Sequence, residues 1–97
     1  MRTMLRVTIP TETGNKAVAD GTIGKIMQEA MERMKPEAAY FTANAGHRTA
    51  YFFFDMKDAS QMPVIAEPFF MGLHAQCEFQ PAMNGEDLKT GLGNVKR

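Results

Sequence analysis

Residues 4–10, MLRVTIP, alternate in polarity: Leu5, Val7 and Ile9 fall on one side, Met4, Arg6 and Thr8 on the other. That period of two predicts a half-buried strand ending at Pro10. TETGN, residues 11–15, reads as a polar loop. From about Asn15 the period lengthens. Ile23, Ile26, Met27, Ala30, Met31 and Met34 form one helical stripe, with Glu29 and Arg33 spaced to pair on the outer side. Gly21 and Gly24 weaken its early part, Asp20 or Thr22 is placed to cap a separate second segment, and Lys35-Pro36 ends it. AAYFTAN (38–44) and RTAYFFFDM (48–56) flank Ala45-Gly46 and predict a tight hairpin. A second helix follows, with Asp58 and Gln61, or Ser60, at its start; Pro63 fits its first turn, while Pro68 is expected to kink or split it. AQCEFQ (75–80) alternates again, and Asn84 is placed to cap a short C-terminal helical turn.

The order is β-α-β-β-α-β with a tail. It predicts a ferredoxin-like α+β domain with an antiparallel four-stranded sheet, strand order 4-1-3-2, and both helices on one face. Residues 1–97 form one domain in this reading, with about 85–97 as a C-terminal extension. The final Lys96-Arg97 reads as a frayed end.

Four consecutive aromatic residues, Tyr51 to Phe54, put rings on both faces of one strand. With a hairpin tip at Ala45-Gly46, paired positions place Ala39, Phe41, Ala43, Ala50, Phe52 and Phe54 on the helix side. Leu5, Val7, Ile9, Cys77 and Phe79 join them. The opposite face carries Tyr40, Thr42, Thr49, Tyr51 and Phe53, with Met4, Arg6, Thr8, Gln76, Glu78 and Gln80. Three large rings on a face without a helix make an exposed apolar patch, which marks an interface or a ligand site. A chain of 97 residues has no further element to cover it. The expected cover is a second copy, sheet against sheet about a two-fold axis.

Composition narrows the partners. Lys and Arg total 11, Asp and Glu total 11, and the formal net charge is zero, so bulk charge attracts neither nucleic acid nor an anionic membrane. One cysteine forbids an intrachain disulfide. No apolar stretch approaches ~20 residues, and the start lacks a signal-peptide pattern. The cytoplasm is the expected compartment. Two histidines and one cysteine, far apart in sequence, give no metal-ligand spacing. No phosphate loop, dinucleotide fingerprint or nucleophile elbow occurs, so no metal and no cofactor is expected.

KPEAAYFTANAGHRTAYFFFDMKDASQMPVIAEPFFMGLHA, followed by PAMNGEDLKTGL, resembles a branch of small bacterial proteins in the dimeric α+β barrel superfamily. That superfamily includes muconolactone-isomerase-like proteins and antibiotic-biosynthesis-monooxygenase-like domains. The resemblance covers nearly the whole chain. It implies a homodimer and a cofactor-independent isomerase or monooxygenase acting on a small aromatic or enol-bearing metabolite. The branch itself implies no particular chemistry, and a non-catalytic dimeric ligand-binding or interaction module remains the alternative.

On the uncovered face Arg6 and Glu78 fall on neighbouring strands. Arginine there binds a carboxylate or enolate while glutamate moves a proton; the plainer reading is an ion pair or a subunit contact. Tyr51 joins them as a candidate catalytic group. Tyr40, Thr8, Gln76 and Phe53 are candidate ligand contacts, against packing across the dimer. His74, at the junction of the second helix and the last strand, is a further ligand candidate, against a structural role. His47 reads as a solvated turn residue, and Cys77 as a buried, inert thiol.

Overall fold

The computed structural model describes residues 1–96. Arg97 lies outside the described residues, and with it part of the frayed-end reading. The elements are β1 (Arg2–Ile9), α1 (Thr11–Asp20), α2 (Thr22–Met34), β2 (Ala38–Asn44), β3 (His47–Asp55), α3 (Gln61–Leu73), β4 (Gln76–Pro81) and α4 (Gly85–Gly93). The strands form one antiparallel sheet in the order β2-β3-β1-β4, the ferredoxin-like arrangement.

The hairpin register is the predicted one: Tyr40 lies opposite Tyr51, Thr42 opposite Thr49 and Asn44 opposite His47. Ala45 (φ 53°) and Gly46 (φ 79°) make the two-residue tip. Two consecutive positive φ angles are what a type I′ turn needs to match the right-handed twist of its strands.

The segment TETGN is not a loop. It forms the first half of α1, which starts directly after Pro10, with Gly14 N–H donating to Pro10 O at 2.8 Å. The fixed φ of a proline at the entry favours this start. Gly21, at φ 82°, then breaks the helical run in two. Asp20 Oδ1 accepts from Thr22 N–H at 2.8 Å, which satisfies one orphan donor of α2; the Thr22 side chain first and this N–H second lower the Asp20 pKa. Pro68 does not split α3, which runs unbroken from Gln61 to Leu73. The hydrogen bond that Pro68 removes belongs to the carbonyl of Val64. Val64 is an exposed residue of that helix. At the far end, Asn84 and Asp87 form a reciprocal capping box on α4. No residue of α4 is buried; the Asp87–Arg2 ion pair at 3.0 Å ties its start to β1.

The core lies between the helices and one sheet face. Leu5, Val7 and Ile9 of β1, Ala50, Phe52 and Phe54 of β3, Ala17 of α1, Ala30 and Met34 of α2, and Ile65, Phe69 and Leu73 of α3 are buried together. Phe52 is its centre, with ring centroids of Phe41 and Phe69 each 6.0 Å away. The helices do not reach β2. Phe41 remains 59 % exposed and Ala43 is exposed, so the expectation that both lie under helices is corrected. One layer of helices covers about three strands of the four-stranded sheet, and of the edge strand β2 Ala39 still packs against the core. No helix among the described residues is long and apolar enough to cross a membrane.

Candidate functional site

On the sheet face away from the helices, register aligns the side chains in transverse rows. Tyr40, Tyr51, Arg6 and Glu78 form one row across β2, β3, β1 and β4. Thr42, Thr49, Thr8 and Gln76 form the next. Ala38, Phe53, Met4 and Gln80 form the third. Neighbouring strands lie about 4.8 Å apart, and successive rows on one face about 6.8 Å apart. Six residues singled out by sequence, on four strands, therefore fall in two adjacent rows, and Phe53 in the third.

Within the first row Arg6 Nη2 donates to Glu78 Oε2. Glu78, then Tyr51, raise the Arg6 pKa above its ordinary value by favouring the charged guanidinium. Both charged side chains remain substantially exposed, at 34 % and 50 %. Tyr51 is half-buried, and Tyr40 is 64 % exposed on the edge strand. The row offers a cation, a carboxylate and two phenols on one open surface. Phe53 and Met4, half-buried, give the third row its apolar character. Thr49 is an exception on this face: it is 3 % exposed, flanked by Thr8 and Thr42, with its hydroxyl donating to His47 O at 3.0 Å.

His74 stands two residues before Gln76, between α3 and β4. It ends α3 in the left-handed region, at φ 50°, and borders a cavity of about 210 Å³ with Thr8, Pro10, His47 and Gln76. His47, read as a solvated turn residue, is exposed beside the hairpin tip and also borders this cavity. Its Nδ1 lies 3.4 Å from the Thr11 hydroxyl. Sequence reasoning missed the pairing because 26 positions separate the two histidines, and only the sheet order brings the hairpin next to the α3–β4 junction. Among the described residues no group of three or more His, Cys, Asp or Glu side chains is placed to hold a metal ion.

The helix side of the sheet carries a feature that sequence reasoning also missed. Between α2 and the uncovered β2 lies an open cleft of about 330 Å³, walled by Ile9, Ile23, Gly24, Met27 and Phe41, with Arg48 at its border. Arg48 shares its face of β3 with Ala50, Phe52 and Phe54, an apolar run in which one charge stands out. Cys77, on the same side at β4, is partly buried; burial first and Glu67 second push its thiol up to about 11.

A scan against protein-family models, a search of curated proteins and a search of solved structures each found no match to this chain.

Proposed function

We propose that this chain works as a homodimer in which two open sheet faces enclose a site for a small aromatic or enol-bearing metabolite. Acting there, it is a cofactor-independent isomerase or monooxygenase of the kind the dimeric α+β barrel resemblance implies. The observation that carries the reading is the row Tyr40–Tyr51–Arg6–Glu78 on a sheet face that the chain's own helices leave bare. Covering that face excludes water and strengthens each charge in the row. Arg6 then holds a carboxylate or enolate oxygen, Tyr51 donates to the same group, and the rings of Tyr40 and Phe53 flank an aromatic body. Glu78, released as Arg6 turns to the ligand, accepts a proton from carbon and returns it elsewhere on the molecule. Those are the parts of a proton shift.

The closed Arg6–Glu78 pair supports a second reading. Charges that already satisfy each other suit a module that binds a ligand or partner without chemistry. The two readings separate in heavy water. Aromatic carboxylates and enols are screened by NMR against the parent, Arg6→Met and Glu78→Gln. For an isomerase, a ligand bound by the parent exchanges a carbon-bound proton for deuterium, Glu78→Gln binds it without exchange, and Arg6→Met does not bind it. Binding by the parent without exchange favours the module. No binding by the parent removes the site from this face.

A further inference from the structure

Arg48 is a half-buried cation on the apolar side of the sheet, and its partners are neutral. Nη2 donates to Asn15 Oδ1 at 3.1 Å and Nη1 reaches Thr11 O at 3.5 Å. The other two arginines of the sheet are ion-paired, Arg2 with Glu37 and Asp87, Arg6 with Glu78. Among the described residues Arg48 has no carboxylate within ion-pair distance. A partly desolvated guanidinium without a counter-charge is costly unless an anion completes it.

The fold makes room for this arginine. Gly14 of α1 lies directly beneath it: a Cβ there would stand 2.6 Å from Arg48 Nη1 and 3.3 Å from Ile9 Cγ2. Glycine there leaves room for the guanidinium to lie across α1, while Arg48 also lines the cleft. The cleft itself is apolar along Ile9, Ile23, Met27 and the Phe41 ring, and Gly24 leaves its α2 wall open, since a Cβ there would meet nothing within 4 Å. At about 330 Å³ it is at the lower end of the range for small-molecule sites.

We infer that this cleft is a binding site for a small aromatic carboxylate, with the ring between Ile23, Met27 and Phe41 and the carboxylate on Arg48. It lies on the opposite sheet face from the Arg6–Glu78 row and stands independently of what that row does. The cation at the mouth selects an anionic head. The apolar walls and the Phe41 ring select a flat body, since aromatic pairs gain from edge-to-face contact. Arginine suits the head because its planar fork meets a carboxylate with two parallel hydrogen bonds.

The test uses 2-naphthoate and its neutral analogue 2-naphthamide as probes, followed by backbone amide NMR of the full chain. Naphthoate is expected to shift the amides of Gly24, Met27, Thr42, Thr49 and Ala50 saturably, and to bind at least tenfold more tightly than the amide analogue. Arg48→Met keeps an apolar stem and removes the charge; it should erase the naphthoate preference and leave naphthamide binding unchanged. Gly24→Leu fills the cleft from a position with free space and should block both probes. Arg6→Met should leave the shifts of the cleft amides Gly24 and Met27 unchanged, whatever it does to binding on the opposite face. Equal naphthoate binding by the parent and Arg48→Met overturns the inference. So does a response confined to Tyr51, Phe53 and Glu78, or no saturable response at all. Shifts of Gly24 and Met27, on α2 and away from the bare sheet face, that depend on protein concentration without any probe would also overturn it, because a second copy then fills the cleft.

Discussion

Phe52 and Phe53 are neighbours in the chain and opposites in the fold. Phe52 is fully buried, edge-on to Phe41 and stacked at a tilt on Phe69. Phe53 lies between Ala38 and Met4 on the bare face and stays half-buried. Each ring has a similar amount of apolar surface to remove from water, ~150–250 Å². The chain covers the first with α3 and supplies no element for the second. The difference teaches where this molecule is complete by itself and where it is not. Its helix-side core closes under three of four strands, while the opposite face presents rings, an ion pair and threonines to whatever approaches.

The largest expected effect lies on the complete side. Phe52→Ala should cost ~3–5 kcal/mol in chemical denaturation, the sum of lost burial and a cavity among residues that cannot collapse fully. Phe53→Asp should leave the subunit's fold in place by circular dichroism while abolishing self-association, because an interface cannot cheaply bury an unpaired charge. If Phe53→Asp unfolds the chain and Phe52→Ala does not, the two faces have been exchanged.

Smaller effects sharpen the same comparison at positions that touch neither ring. Gly24→Ala should stabilise the chain by about 0.5 kcal/mol, since it replaces a glycine in the first turn of α2 where the added methyl meets no atom. At the hairpin tip Ala45 holds φ 53°, which costs a residue with a Cβ about 1–2 kcal/mol. Ala45→Asn should recover part of that, read as a rise in denaturation midpoint without a change in slope. The smallest effect is chemical: with its thiol pushed up to about 11, Cys77 should react with a thiol reagent at pH 8 well below the rate of an unfolded control. Labelling at the unfolded rate would show that β4 is not held against α3.

Much of this arrangement was legible in the sequence, because period-two alternation and a two-residue turn fix strand register tightly. Tyr40 opposite Tyr51 follows from the Ala45-Gly46 tip, and Arg6 and Glu78 on one face of neighbouring strands follow from alternation and strand order, while their direct pairing comes from a β1–β4 register that no local signal fixes. Local signals failed at α1, where TETGN has the composition of a loop but forms the first half of a helix that starts directly after Pro10. At Pro68 they allowed a split that does not occur, since α3 runs unbroken from Gln61 to Leu73. The reach of the helices was also illegible. Nothing in the pattern of β2 tells that Phe41 escapes cover, since an apolar residue reads the same under a helix or beside a gap. The His47–His74 cavity and the Arg48–Gly14 contact are products of long-range topology, and neither pair has a sequence spacing that announces it.

The central claim is that a second copy covers the bare sheet face, and sedimentation equilibrium at micromolar concentration tests it most directly. The account predicts a species of twice the chain mass for the parent and of single mass for Phe53→Asp, both folded. A folded parent sedimenting at the mass of one chain under those conditions would contradict it.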